Sequence, residues 1–480
     1  MLRGACVFFL CLLVAPACLG ETPPPSAIDA VIDLSRGGPA ELAADALIRI
    51  ASLDRLPKKR RMELAEQAFQ LAGASPIPYK KHSALPHSQG PSVFIDHAYA
   101  LDLDALSLRL RAVEALLALD PERARARFEE IPPLEIPDLT CSDFMTYDLS
   151  RYYEVLGRVA AEGFTPKENK EGGVVKFLAR YLNISHPAEI VPAARMLAGN
   201  LAVPDAAFQS LVNAFAETLS RVGGDDRSFT DAAHQAGPAI AALAQASARR
   251  GLPPAVVLGA YREFLASHLT GARCEELEGA NASSDPAEYF NAHLRTPAVG
   301  PIEGAERTAA KREGKPEGLA ACESPECRDI RKQYQKLIFH DNGQAYQEAE
   351  RQSIAWQTRV RDFLTALASW NESSGAPPLQ FFREKVDFYS QLIAIVPQGE
   401  TRDYVFSSML SFLLSSRPSG EEQIQWYLPV IQLVGRAALD PRAFERATAD
   451  LRQANDSAIA LEMALEVVAP RPVSEFMPLL

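Results

Sequence analysis

The sequence lacks a surplus of basic residues. It holds 49 Lys and Arg against 61 Asp and Glu, so its formal net charge at pH 7 is −12. Proteins that bind a phosphate backbone need a basic face, and an acidic chain repels that backbone. Tryptophan is also scarce, at 3 of 480 residues, which disfavours a cleft that stacks sugars on indole rings. We therefore expect no nucleic-acid partner.

The common catalytic and cofactor-binding motifs are absent as well. No His is followed by Glu, so the H-E-x-x-H zinc motif is missing, as are the G-x-S-x-G elbow, the G-x-G-x-x-G loop and the P-loop. Neighbouring acids do occur, for example Asp102 with Asp104. Glycoside hydrolysis, however, needs two carboxylates that face each other across a cleft. The sequence therefore assigns no catalytic residue, no metal and no cofactor.

Long apolar runs are missing except at the N-terminus. There, residues 6–14 form one unbroken run after Arg3, followed by Ala15-Pro16-Ala17 at the spacing that signal peptidase reads. The run is too short for a permanent transmembrane helix. We predict a signal peptide over residues 1–20 and an exported protein, periplasmic or extracellular, with no later transmembrane segment. Cys18 offers an alternative, in which the exported chain is lipid-anchored through that residue.

Four of the 7 cysteines lie outside the predicted signal peptide: Cys141, Cys274, Cys322 and Cys327. An even number in an exported chain favours disulfides. Cys322 and Cys327 bracket a turn at Ser324-Pro325, so we predict a Cys322–Cys327 bond and, from the remaining two, a Cys141–Cys274 bond. Zinc at the first pair is an alternative, but its spacing does not match a zinc motif and no second pair exists. Four free thiols are the other alternative.

Apolar residues recur at helical spacing along nearly the whole chain after the signal region. One such stripe consists of Trp356, Val360, Phe363, Leu364, Leu367 and Trp370. Prolines near capping residues mark helix starts at Asp120-Pro121, Thr165-Pro166, Ser185-His186-Pro187 and Asp440-Pro441. No run alternates with a period of two. We predict an all-α fold of roughly fifteen helices, stacked as antiparallel hairpins in a solenoid- or toroid-like array, with essentially no sheet.

Composition divides the predicted helical chain in two. The stretch from Glu275 to Ala321 is rich in Gly, Pro and Glu and has few apolar residues to offset the entropy of ordering. One short helix is predicted in it, around Pro286 to Leu294. We predict an N-terminal helical block over 21–274, a flexible linker or excursion over 275–323, and a C-terminal helical block over 324–480.

Histidines supply the candidate site residues. His82, His87 and His97 cluster with Asp96 in and after a Pro- and Gly-rich stretch at 73–96 that reads as a surface loop. A metal site or an acid–base pair can be built from such residues. Their spacing matches no helical or finger ligand pattern, and loop histidines are commonly solvated or act as helix caps. They remain the candidate site residues of this sequence.

Three hypotheses of function fit these observations, and the third of them, a lipid-anchored envelope factor, depends wholly on Cys18. The first is an exported helical scaffold of the cell envelope or exterior that binds a protein or peptide partner, since helical hairpins predominate and catalytic motifs are absent. The second is a carboxylate-dependent hydrolase on an α/α-toroid scaffold, motivated by the export signal and the many acids. Fold alone does not decide between them. The first is the hypothesis we carry forward.

Overall fold

The computed structural model describes residues 25–84, 91–199, 201–269, 271–274, 285–303, 307–310, 324–371 and 378–472. Within these residues the chain is mostly helical. The first seven helices are α1 Pro25–Ser35, α2 Ala40–Ala51, α3 Lys58–Ala72, α4 Pro91–Tyr99, α5 Ala105–Leu117, α6 Pro121–Glu129 and α7 Ser150–Glu162. The next seven are α8 Pro166–Lys170, α9 Gly173–Tyr181, α10 Pro187–Ala198, α11 Asp205–Leu219, α12 Asp226–Arg249, α13 Ala255–His268 and α14 Pro286–Tyr289.

The last eight helices complete the described chain. They are α15 Pro325–Ile338, α16 Glu348–Arg351, α17 Ile354–Ser369, α18 Pro378–Ile395, α19 Glu400–Ser415, α20 Gln423–Ala438, α21 Pro441–Ala454 and α22 Ser457–Val468. The described residues thus hold 22 α-helices rather than the roughly fifteen predicted. Part of the difference lies in α8, α14 and α16, which have only four or five residues each. Helices that short cannot display a repeating apolar stripe.

Sheet is confined, in the described part of the chain, to two pairs of very short strands. β1 Lys81–Ser83 pairs antiparallel with β2 Met145–Tyr147, and β3 Gly271–Cys274 pairs parallel with β4 Arg307–Ala310. The stretch at 73–96, interpreted from sequence as a loop, therefore contains β1 and the beginning of α4. Strands of three or four residues are too short to show alternation in sequence.

Local capping explains where many helices begin. Asp120, Thr165 and Asp440 accept hydrogen bonds from backbone N–H groups of the first turn, and a proline follows each of them. His186 caps α10 in the same way, with Pro187 next to it. The sequence predictions at these four positions are confirmed. The short helix predicted around Pro286 to Leu294 is confirmed too, as α14 followed by a π-helical turn.

Many helices pack on the next helix or on the next but one. Such contacts join α3 to α5 and α5 to α7 in the first part of the chain, and α15 to α17, α17 to α19 and α19 to α21 in the second. The buried apolar residues form one continuous cluster that extends from Ile28 to Val468. No helix of the described residues has both the length and the apolar character needed to cross a membrane.

The two ends of the described chain meet. Helix α22 packs on α1 and α2, and α20 packs on α4. Between them, the fully buried carboxylate of Asp45 on α2 receives Arg471 and, at 2.6 Å, Arg111, while Arg49 lies 3.7 Å away. Burial raises the pKa of Asp45, but the three guanidinium charges outweigh it and hold that pKa well below its ordinary value. The hydroxyl of Tyr427 on α20 also donates to Glu41 on α2.

Candidate functional site

A groove between α18 and α19 is the concave feature that we take as the candidate site of the described residues. The two helices are joined by the short link 396–399. In this link Gly399 has φ +143°, a backbone conformation that glycine adopts far more readily than other residues. The end of α17 and residues up to Glu422 complete the walls, and the cavity measures about 910 Å³. That volume lies at the upper end of the range of small-ligand pockets.

Aromatic rings form the apolar wall of this groove. The ring of Phe412 on α19 stacks on Phe382 with 5.7 Å between centroids and on Tyr389 with 5.9 Å. Phe381 packs edge-on against Trp370 at 5.0 Å. Offset and edge-to-face contacts of this kind hold rings rigidly. The wall is therefore a preformed surface for apolar side chains.

Serine hydroxyls form a polar part of the groove lining. They belong to one face of α19, and several donate to backbone carbonyls of their own helix, for example Ser408 to Tyr404 at 2.8 Å and Ser411 to Ser407 at 2.9 Å. A hydroxyl that donates once keeps oxygen lone pairs for an incoming donor. This part of the lining can therefore accept hydrogen bonds from the backbone N–H groups of an extended ligand.

Lys385 on α18 lies at the base of the groove with only 5 % of the residue exposed. Its Nζ donates to the carbonyls of Trp370 at 2.7 Å and Ala368 at 3.4 Å, which end helix α17. The rings of Phe381 and Phe412 lie 5.2 Å and 5.0 Å from the same atom. Burial lowers the pKa of Lys385 to about 8. The ammonium therefore has carbonyl and ring partners but no paired carboxylate among the described residues.

The described lining of the groove holds more basic than acidic side chains, although the chain as a whole is acidic. The lining contains Lys385, Arg417 and one carboxylate, Glu422. Arg417 is already held, with its guanidinium over the ring of Trp426 at 4.8 Å and 3.7 Å from Asp456. Lys385 is thus the uncompensated charge of the groove, and a bound anionic group would gain a charge-assisted hydrogen bond there.

The predicted histidine site has a different location. His82 lies in β1, and its Nε2 is 3.2 Å from Asp231 on α12 and 3.2 Å from the hydroxyl of Thr146. Burial lowers the pKa of His82, but its hydrogen bond to Asp231 and the charge of that residue raise it more, so the net shift is upward. Asp96 on α4 accepts from the backbone N of Ser83 at 2.5 Å. These contacts tie β1 to α4 and α12.

The described residues include one of the two other predicted histidines. His97 follows Asp96 on α4, and His87 lies outside the described residues. Thr146 resembles a nucleophile beside His82 and Asp231, but it donates to Asp231 directly at 3.0 Å and is 1 % exposed. A triad nucleophile donates its proton to the histidine, so a hydroxyl that donates to the aspartate is not placed as one. The contacts of His82 and Asp96 are those of residues that hold elements together.

One of the two predicted disulfide bonds is present among the described residues. Cys141 and Cys274 form a disulfide across 133 residues of sequence. Asp226 lies next to them and accepts from the backbone N of Cys274. Sulfurs joined in a disulfide do not act as thiolate ligands, so this cluster does not bind metal in the oxidised chain. Cys327 also forms a disulfide, while Cys322, its predicted partner, lies outside the described residues.

A cluster of His186, Asp225 and Asp138 was not foreseen. Its ligand atoms lie within 4.8 Å of one another. Nδ1 of His186 accepts from the backbone N of Ala188 at 3.3 Å, and Nε2 is 3.2 Å from Asp225. Both ring nitrogens are therefore engaged, and His186 and Asp225 cap α10 and α12. The cluster fastens two helix ends and offers no free ring nitrogen to a metal.

The acid pair Asp102 and Asp104, noted in the sequence, makes contacts that stabilise the fold. Asp102 pairs with Lys80 at 2.8 Å and with Arg151. Asp104 is fully buried and caps α5, and burial raises its pKa to about 6. Neither carboxylate of this pair faces a second one across the groove, whose described lining includes Glu422 alone. The pair does not supply the opposed acids that a glycosidase needs.

Sequence reasoning missed Lys385, although a signal exists. Lys385 lies three residues after Phe382 and four before Tyr389, so it falls on the apolar face of α18. A charged residue on an apolar helical face is an exception that indicates a buried charge.

Comparison of the chain with known protein families, with curated proteins and with solved structures finds no match.

Proposed function

We propose that this protein is an exported helical scaffold that binds an extended, acidic peptide segment of a partner protein in the groove between α18 and α19. The observation that carries the proposal is the buried, uncompensated ammonium of Lys385 at the base of an aromatic wall. Rings supply contact area for apolar side chains, and Lys385 supplies a partner for one carboxylate. The serine hydroxyls of the lining accept backbone N–H groups, as peptide recognition requires.

Charge complementarity selects the occupant. The chain as a whole is acidic, at −12, and repels anionic partners at long range. Only a ligand that places its anionic group at Lys385 and its apolar groups on the rings gains from both features. A neutral or basic peptide would leave the ammonium buried without a counter-charge.

A peptide-display experiment tests this proposal. A short-peptide library is selected on the wild-type protein, and the enriched peptides are measured by fluorescence anisotropy on Lys385→Met and on Lys332→Met, an exposed-lysine control. Enriched peptides should combine a carboxylate with aromatic or aliphatic side chains and lose about tenfold or more in affinity on Lys385→Met. Lys332→Met should bind as wild type does.

A second readout separates groove binding from attachment elsewhere. A carboxylate beside Lys385 favours its charged form, so a bound acidic peptide should raise the pKa of that lysine from about 8. No enrichment of peptides, or enriched peptides that bind Lys385→Met as tightly as wild type and leave the lysine pKa unchanged, would refute the proposal.

Export itself rests on residues 1–20, which lie outside the described residues. Mass spectrometry of the mature N-terminus tests it. Cleavage after Ala17 or Gly20 supports export as a free protein, and an acylated Cys18 supports the lipid-anchored alternative. An intact N-terminus starting at Met1 contradicts both.

A further inference from the structure

Arg436 on α20 is buried, with 7 % of the residue exposed, yet it has few partners. Its Nη1 donates to the backbone O of Ser390 on α18 at 3.3 Å. Its Nε and Nη2 have no hydrogen-bond partner among the described residues. Buried donors are almost always paired, so these two nitrogens need an explanation.

A second arginine faces the same region. Arg402 lies on α19, and its Nε is likewise buried without a partner in the described chain. Burial lowers the pKa of Arg436, and the positive charge of Arg402 lowers it further. The nearest acid in sequence, Asp403, is paired at 3.6 Å with Arg442 instead. Helices α19 and α20, which carry these two arginines, pack on each other, and neither guanidinium has a paired carboxylate among the described residues.

Gln432 adds uncharged hydrogen-bonding capacity one helical turn before Arg436, on the same face of α20. It is 2 % exposed, and both its amide nitrogen and its amide oxygen lack partners among the described residues. Arg402 makes one further contact, with its guanidinium 6.0 Å from the ring of Phe406, and that contact uses no N–H group. The donors on α19 and α20 without described partners are thus guanidinium and amide N–H groups, which donate hydrogen bonds to oxyanions.

We propose that Arg436 and Arg402, with the amide of Gln432 beside them, form a binding site for a small oxyanion of the phosphate or sulfate class. Guanidinium groups bind such anions through paired N–H donors, and a dianion between them converts their repulsion into attraction. None of these three residues lines the groove of α18 and α19. The site is therefore separate from the proposed peptide site and stands or falls independently of it.

Thermal unfolding in phosphate and in chloride at equal ionic strength tests the site. An anion that binds only the folded chain raises the melting temperature in proportion to the logarithm of its concentration. We expect inorganic phosphate to do so for the wild type, with binding confirmed by isothermal titration calorimetry. Arg436→Met keeps an apolar stem, removes the guanidinium, and should weaken phosphate binding about tenfold or more.

Controls exclude general salt effects, because phosphate also stabilises proteins by exclusion from their surfaces. Arg361→Met, an exposed arginine on α17, should retain the full phosphate response. Arg402→Met should reduce it, which keeps the test decisive where Arg436→Met fails to fold. The proposal would be overturned if the wild type melted equally in phosphate and in chloride. It would also be overturned if phosphate raised the melting temperature of Arg436→Met and Arg402→Met as much as that of the wild type.

Discussion

Asp45 and Lys385 are both buried charges, but their surroundings stabilise them to very different degrees. Asp45 is fully buried and contacts the guanidinium groups of Arg471, Arg111 and Arg49. Lys385 has only the carbonyls at the end of α17 and two ring faces. The first arrangement favours the charged form strongly, and the second leaves it disfavoured. Each predicts a distinct dependence on pH.

For Lys385 we expect a titration midpoint near pH 8 by nitrogen-detected NMR of the lysine side chains, against an ordinary value of 10.5. Between those values the unfolded chain keeps a proton that the folded chain has released, so stability from this residue rises with pH in that window. Lys385→Met should remove both the titration and that rise. A midpoint at or above 10 would contradict the burial of the ammonium.

For Asp45 stability also rises with pH, but in an acidic window, and here the folded state favours the charged form. A carboxylate whose pKa is depressed in the folded state contributes stability above its unfolded pKa and loses it as pH falls toward the folded value. Asp45→Asn leaves three arginines without their shared counter-charge and should lower the free energy of unfolding by about 3–5 kcal/mol at pH 7. Urea unfolding at pH 7 and pH 3 measures this.

The comparison variant is Asp54→Asn, whose carboxylate is exposed although it pairs with Arg61. An exposed ion pair contributes little to stability, so this change should leave the free energy of unfolding nearly unchanged at both pH values. The deficit of Asp45→Asn should shrink at pH 3, because the wild type then loses part of the same contribution. An equal deficit at both pH values would show that packing and not charge explains the loss.

At the scale of residues, sequence predicted what depends on near neighbours. Capping by Asp120, Thr165 and Asp440 is a local hydrogen bond, visible from the residue and the proline after it. The contact of Lys385 with the ring of Phe412 on another helix is not local, and neither is the pairing of His82 with Asp231, 149 positions later. Those contacts exist only once helices have packed.

Among the elements, the disulfide between Cys141 and Cys274 joins the segment before β2 to β3 and to the first turn of α12. Arg227 on α12 donates to the carbonyl of Cys141 at 2.9 Å, and Asp226 accepts from Cys274. Sequence predicted this bond by elimination, from an even count of cysteines. It did not predict β3, since a strand of four residues carries no period.

Replacement of both cysteines by serine should lower the free energy of unfolding by about 2–5 kcal/mol, because the bond closes a long loop of 133 residues. Guanidinium unfolding of the double variant under non-reducing conditions measures the loss. Single variants should show the same loss, since either one breaks the bond. An unchanged midpoint would mean that the neighbouring contacts hold these elements without it.

At the scale of the whole molecule, contacts between the first and last helices hold the two ends of the described chain together. Helix α22 packs on α1 and α2, and Tyr427 of α20 donates to Glu41 of α2. Composition suggested two blocks divided at 275–323, and nothing in composition shows that chain ends pack together. Periodicity gave the helical class, whereas the order in which helices meet depends on contacts between residues more than 380 positions apart.

This closure makes a prediction about a cut chain. A protease site inserted between Lys315 and Pro316, within the predicted linker, divides the chain after folding. Because the ends pack through buried contacts such as that of Arg471 with Asp45, the two pieces should elute together in size-exclusion chromatography and separate only in denaturant. Arg471→Met should weaken their association, and Arg361→Met should not. Two pieces that elute apart while each stays helical by circular dichroism would instead show two independent domains, as composition alone suggests.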